Sequence, residues 1–196
     1  TVGEETASVM DLETYETFLD GIRKVLSPNI HYHFNVYQCA LIPGTEMSEP
    51  EYVKKYNIQT RRCVMNLGKT VHEKDSVVEY EDIVVGTSTM PIPDWKRTHT
   101  VSYMMKGLYG FRLAFFILNY LKKQYQVDIV QTLEFVIQAA NKDKASFKRI
   151  AYALELLDGL QESILSGFGN ETIKIPGVET SLHPETAVLV ALLLDK

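Results

Sequence analysis

Residues 31–42, with the sequence HYHFNVYQCALI, show the alternation that most restricts how this chain can fold. Side chains of one kind recur at every second residue, which is typical of a β-strand with two unlike faces. The apolar face consists of Tyr32, Phe34 and Val36. The opposite face is polar without a fixed charge, and consists of His31, His33, Asn35 and Tyr37.

A strand face in contact with solvent would normally carry Lys or Glu, so uncharged polar side chains indicate a face that meets a ligand. Such a strand after a helix is expected inside an α/β barrel or beside a cleft, where loops at the strands' C-terminal ends build the site. We therefore predict that the polar face of residues 31–37 contacts a substrate. The loop that follows it is Pro43, Gly44, Thr45 and Glu46.

This loop has two interpretations from its residues alone. Backbone N–H groups beside an acidic side chain suit a hydroxylated or cationic ligand, such as a ribose or an amino group. Alternatively, Pro43 and Gly44 set a tight turn, and Thr45 or Glu46 caps the element that follows.

Other patterns predict the remaining elements. Asp11 is a predicted N-cap for an amphipathic helix over residues 12–26, and a short helix is expected to end at Tyr56. Two weaker strands are predicted within residues 58–65 and 77–86. From residue 94 the pattern is helical, with helices predicted over residues 94–125, 127–140 and 145–165, an extended arm over 171–180 and a last helix from His183.

The predicted fold class is therefore an α/β segment, formed by late strands and helices of a partial β/α barrel, followed by a mostly α-helical C-terminal module. The predicted boundary separates residues 1–93 from residues 94–196. The net charge of −5 argues against a nucleic-acid partner. Two cysteines in 196 residues indicate a cytoplasmic protein, and no apolar run approaches the roughly 18 to 20 residues of a membrane span.

The sequence contains no complete motif for metal-centred or nucleophilic catalysis. His31, His33 and Cys39 form an incomplete ligand set, since zinc needs three or four ligands with supporting partners, so we predict no metal site. No Gly-rich phosphate loop, Gly-x-Ser-x-Gly elbow or His-Glu-x-x-His pattern occurs, so no catalytic residue is assigned. The first long predicted helix is rich in aromatic and Met residues, which either belong to the core or line a pocket or partner surface. These residues are Tyr103, Met104, Met105, Tyr109, Phe111, Phe115, Phe116 and Tyr120.

The order of several short segments carries a family resemblance over about residues 3–125. The segments are GIRKVLS, the strand, LIPGTEM, PEYVKKYNIQT and EDIVVGTSTMPIPDW. The chain resembles the C-terminal part of radical S-adenosylmethionine enzymes of the cobalamin-binding class, in which a PGT-type loop precedes a Tyr-x-x-x-Tyr-Gly-Ile segment. In this chain that segment runs from Tyr52 to Ile58, and Asn57 stands where the family has glycine.

The resemblance implies a β/α barrel with a four-iron four-sulfur cluster and S-adenosylmethionine, and cobalamin bound by an N-terminal domain. This chain lacks the Cys-x-x-x-Cys-x-x-Cys loop and the Asp-x-His-x-x-Gly pattern, so both are expected upstream of Thr1. By resemblance, Pro43, Gly44, Thr45 and Glu46 lie near bound S-adenosylmethionine or substrate.

The expected partners are the missing N-terminal part of the same polypeptide and a small-molecule substrate, and the 196 residues alone are expected to bind no cofactor and to be inactive. The competing prediction is a non-catalytic interaction module with an aromatic-rich helical surface.

Overall fold

The computed structural model describes residues 14–26, 37–64, 79–167, 169–170 and 172–194. Within these residues an α/β segment is followed by a mostly helical part, as the sequence predicts. The helices are α1 (Tyr15–Val25), α2 (Pro50–Tyr56), α3 (Ile92–Met105), α4 (Phe115–Tyr125), α5 (Ile129–Lys142), α6 (Lys148–Ser166) and α7 (Pro184–Leu193). The strands are β1 (Gln59–Val64), β2 (Tyr80–Gly86) and β3 (Gly169–Asn170).

Helix α1 starts later than its apolar spacing predicts. Its N-cap is Thr14 and not Asp11, because the Thr14 side chain accepts a hydrogen bond from the Thr17 backbone N–H at 3.3 Å. Tyr15 and Leu19 on this helix are buried, which is the apolar face that the pattern predicts. Asp11 itself lies outside the described residues.

Strands β1 and β2 pair antiparallel, from Gln59 opposite Gly86 to Val64 opposite Tyr80. Strand β3 adds to β1 in parallel, giving the order β2-β1-β3. The described end of the strand predicted at residues 31–42 lies on the other edge of β2, where Ala40 bridges Ile83 in antiparallel orientation. The sheet is therefore mixed, with antiparallel pairing of β1 with β2 and of Ala40 with Ile83, and parallel pairing of β1 with β3.

The prediction of one continuous helix over residues 94–125 is wrong. Helix α3 passes at Lys106–Gly110 into a π-helical turn, in which the Phe111 N–H donates to the Lys106 carbonyl at 2.8 Å. Arg112 then has a φ of 65°, a left-handed conformation that ends the helix before α4 begins.

The later helices start near their predicted positions. Asp128 is the N-cap of α5, and its carboxylate accepts hydrogen bonds from the Val130 and Gln131 N–H groups. The predicted arm at residues 171–180 contributes an isolated bridge between Ile173 and Leu182, just before α7. Within the arm, Gly177 has a φ of 86°, which glycine adopts without a steric penalty.

One apolar core extends to both sides of residue 93. Ile83 and Val85 of β2 and Leu19 of α1 belong to the same buried cluster as Met104 and Leu157 of the helical part. Helix α1 packs against α3 and α5, and β2 packs against α3. The division of the chain at residue 93 into two domains stays a prediction.

Candidate functional site

The loop predicted to bind a ligand is a tight turn that follows the isolated bridge at Ala40. The Thr45 N–H donates to the Ile42 carbonyl at 3.3 Å, and Gly44 has a φ of 81°. Proline at the second position and a glycine with positive φ at the third are the pattern of a type II turn. The Thr45 hydroxyl also donates to the Ile42 carbonyl at 2.7 Å, which holds the turn closed.

A short 3-10 helix, Glu46–Ser48, follows the turn with Thr45 as its N-cap residue. The Ser48 hydroxyl donates to the Thr45 carbonyl at 2.7 Å. Pro43, Gly44, Thr45 and Glu46 are all exposed, so a ligand could reach every one of them. The turn interpretation therefore describes their local structure, while a role in ligand binding stays a prediction.

Only part of the predicted substrate-facing strand can be located. His31, His33 and Asn35 lie outside the described residues. Tyr37 is described, is 76% exposed and borders a cavity between the sheet and α3. Residues 37–39 and helix α3 therefore meet at this cavity.

The cavity has a volume of about 40 Å³ and is the candidate functional site. Its walls come from residues 37–39, from the end of β2 with the loop after it, and from one face of α3. The lining residues are Tyr37, Gln38, Cys39, Val84, Gly86, Thr87, Met90, Trp95, Thr98, His99 and Ser102.

His99 is the one titratable group among the buried polar side chains that line this site. It is 6% exposed, and its ring lies between the rings of Trp95 and Tyr103, with centroids 5.4 and 4.7 Å away. Burial lowers the pKa of His99 to about 3, because the charged imidazolium would lose its hydration. The imidazole is therefore neutral at physiological pH.

The tautomer of His99 follows from its contact with Gln161. The Gln161 amide nitrogen lies 3.2 Å from His99 Nδ1 and donates to the Lys96 carbonyl at 3.0 Å. Because the Lys96 carbonyl requires a donor at this position, the amide orientation is fixed. Nδ1 of His99 must then be unprotonated, since an N–H there would face another donor. The ring proton is on Nε2, which lies 3.5 Å from the amide nitrogen of Gln38.

The sequence did not indicate His99, Gln38 or Gln161 as site residues. One signal was present, because Trp95, His99 and Tyr103 are four residues apart and share one face of a helix. A histidine within an aromatic stripe indicates a buried ring that needs polar partners. Those partners come from distant segments, which no local pattern reveals.

Some of the aromatic and Met residues predicted as core or as a partner surface are buried in the core, and others are exposed on the surface. Tyr103, Met104, Met105 and Tyr109 are at most 2% exposed and belong to the core. Phe116 and Tyr120 lie on α4 and are 72% and 57% exposed. Ile117 lies on α4 with them, Leu113 precedes the helix and is 39% exposed, and we call these four residues the α4 stripe.

A metal centre does not fit the described residues. Among them, no three His, Cys, Asp or Glu side chains come together as ligands. The whole sequence has two cysteines, fewer than a Cys-x-x-x-Cys-x-x-Cys loop requires. No helix in the described part of the chain is long and apolar enough to cross a membrane.

These features define a mixed α/β and helical chain with a buried neutral histidine beside a small cavity. Over 112 residues it is 25% identical to the cobalamin-dependent radical SAM methyltransferase TokK of Streptomyces tokunonensis. The similarity covers 55% of this chain and 16% of that protein, so the chain corresponds to a small part of its relative's length. No family model matches the chain.

Proposed function

We propose that this chain is the C-terminal, substrate-side region of a radical S-adenosylmethionine enzyme of the cobalamin-binding class. The observation that carries the proposal is the 112-residue similarity to a methyltransferase of that kind, which covers only 16% of the relative. The order of the segments around LIPGTEM and PEYVKKYNIQT is consistent with it.

Asn57 is a departure from the family pattern that the backbone explains. It follows α2 with φ 50° and ψ 47°, a left-handed conformation at the helix C-terminus. Glycine is the usual residue there, and asparagine is the next best tolerated. A glycine in the family and an asparagine in this chain therefore satisfy the same backbone requirement, which supports the proposed relationship.

In the proposed enzyme the cofactors belong to the remainder of the polypeptide. A four-iron cluster held by that remainder would supply the electron for the reductive cleavage of S-adenosylmethionine. This chain would contribute to the substrate side through Tyr37, through His31, His33 and Asn35 as the sequence predicts, and through the exposed turn at residues 43–46. The chain alone would be inactive, because it has too few cysteines for the cluster.

The first test is the reading frame upstream of Thr1, followed by the iron content of its product. We expect a Cys-x-x-x-Cys-x-x-Cys loop in frame and about four irons per full-length polypeptide after anaerobic reconstitution. The 196-residue chain, treated identically, is the matched control and should bind no cluster. A frame that starts close to Thr1 without such a loop would contradict the proposal.

The α4 stripe favours a second candidate, a non-catalytic interaction module. Phe116 and Ile117 are 72% and 64% exposed, and contiguous exposed apolar surface marks interaction sites. From Trp95 to Val127 the sequence contains no acidic residue, and Arg112 and Lys123 at the two ends of the stripe are exposed. A protein partner for this surface would be apolar with carboxylates at its edge.

A pull-down with tagged chain discriminates this candidate. The double variant Phe116→Ser, Ile117→Ser removes the stripe, while Phe135→Ser on α5 removes an aromatic side chain of similar exposure, 69%. An interaction module would lose its specific partners in the double variant and keep them in the Phe135→Ser control. Identical sets of proteins for all three chains would refute the second candidate.

A further inference from the structure

The cavity beside His99 has a lining without charge. The eleven residues around it include no Asp, Glu, Lys or Arg, and its histidine is neutral. A cation or an anion bound there would lose its hydration without meeting an opposite charge, which is strongly unfavourable. Charged groups are therefore poor ligands for this cavity.

The same lining contains polar groups whose hydrogen bonds are incomplete. The Nε2–H of His99 faces the amide nitrogen of Gln38 at 3.5 Å, and two donors cannot bond to each other. The buried Oε1 of Gln38 has no hydrogen-bond donor among the described residues. Rotating the Gln38 carboxamide by 180° would let its Oε1 accept a hydrogen bond from Nε2–H of His99. The amide N–H groups would then lie where Oε1 lies now, and they would have no acceptor there.

Buried polar groups usually find partners, so these atoms favour a ligand that supplies them. The ligand needs an acceptor for His99 and a complementary group for Gln38. The hydroxyl of Ser102 lines the same cavity and can donate or accept. One ordered water needs a cavity volume of roughly 10 to 15 Å³. The cavity volume of about 40 Å³ therefore accommodates a group of about three heavy atoms.

We propose that the cavity lined by Gln38, His99 and Ser102 binds a small uncharged group that both donates and accepts hydrogen bonds, specifically a primary carboxamide. The rest of the ligand would extend past Tyr37, which is 76% exposed at the border of the cavity. Trp95 and Met90 provide the apolar part of the wall. This site does not depend on the radical S-adenosylmethionine proposal, and it can be tested on the 196-residue chain itself.

The test compares three probes of the same shape and different charge: acetamide, acetate and acetamidinium. The chain is labelled with ¹⁵N-histidine, and the ring nitrogens of His99 are followed by NMR during each titration. Acetamide should shift Nε2 of His99 with saturation and a dissociation constant on the order of millimolar, as suits a ligand of four heavy atoms. His183, which lies outside the cavity lining, is the internal reference and should not shift.

Acetate and acetamidinium should cause no saturable shift at the same concentrations. The variant Gln38→Met keeps the side-chain length but removes the carboxamide, and should weaken acetamide binding at least tenfold. Gln124→Met, at an exposed position of α4, is the matched control and should bind as the wild type does.

If Gln38→Met does not fold, Ser102→Ala replaces it, with a smaller expected loss of about threefold for one neutral hydrogen bond. A shift that does not saturate, an equal response to the charged probes, or unchanged binding in the folded variant would overturn the proposal. In each of those cases the cavity would be a structural one that holds only water.

Discussion

Replacing Gly107 by alanine tests how α7 packs against the π-helical turn. A Cβ at position 107 would lie 2.8 Å from Cγ1 of Val188 and 3.3 Å from Cδ1 of Leu192. The first distance is shorter than carbon atoms tolerate, and valine in a helix has one strongly preferred χ1 rotamer, so its methyl group moves away only at an energetic cost. Overpacking of this kind costs about 1 to 3 kcal/mol.

The loss of backbone freedom in the unfolded chain opposes this destabilisation, but its contribution is smaller. Alanine loses less conformational freedom than glycine on folding, which stabilises by about 0.4 to 1 kcal/mol at a compatible site. We therefore expect Gly107→Ala to lower the free energy of unfolding by about 1 to 2 kcal/mol. Gly159→Ala is the matched control, since Gly159 lies exposed in α6 and a Cβ there would contact nothing within 4 Å. This control should be more stable than the wild type by about 0.5 kcal/mol or more.

Urea unfolding followed by circular dichroism measures both variants. A double-mutant cycle with Val188→Ala isolates the contact, because removing Cγ1 of Val188 should relieve the clash and give a coupling energy of about 1 kcal/mol or more. If Gly107→Ala stabilised the chain as Gly159→Ala does, the close packing of α7 on the π-helical turn would be refuted.

Further predictions concern single positions and one truncation. Asn57→Ala should lower the free energy of unfolding in urea by about 1 kcal/mol, because alanine is strained at a φ of 50°, whereas Asn57→Gly should not. Glu185→Leu should lower the free energy of unfolding by about 3 kcal/mol in the same assay, because it leaves the buried ammonium of Lys106 without its carboxylate. Lys106→Met should lower it less, because the Glu185 side chain that loses its partner is 25% exposed to solvent. With the pKa of His99 lowered to about 3 by burial, the unfolded chain takes up a proton near pH 6.5 that the folded chain does not. Stability should therefore fall by about 2 to 3 kcal/mol between pH 7 and pH 4.5, and His99→Gln should lose this part of the pH dependence in urea unfolding. Residues 94–196 expressed alone should bind a hydrophobic dye strongly, because their faces toward α1 and β2 become exposed; absence of dye binding would support the predicted domain boundary.

Local patterns in the sequence predicted the elements that depend on local forces. The apolar spacing around Tyr15 and Leu19 located the buried face of α1, and Pro184 at the start of α7 marked a helix N-terminus. The Pro43–Gly44 pair predicted the turn, because proline and a glycine with positive φ satisfy its backbone without help from the rest of the chain.

Features that depend on distant segments were not predictable in the same way. The break of the long helix at Lys106–Gly110 occurs where α7 packs against Gly107, and no window around residue 107 contains Val188. The candidate site likewise forms only where residues 37–39, β2 and α3 meet, so the sequence indicated Tyr37 but not Gln38 or His99.

The products that the full-length polypeptide forms with a reductant and S-adenosylmethionine test the radical S-adenosylmethionine proposal. Formation of 5′-deoxyadenosine is measured by mass spectrometry for the wild type and for Tyr37→Ala. We expect both proteins to form 5′-deoxyadenosine, and Tyr37→Ala to be impaired in converting the substrate, because Tyr37 is proposed to act on the substrate side. A reconstituted wild-type polypeptide that forms no 5′-deoxyadenosine would refute the proposal.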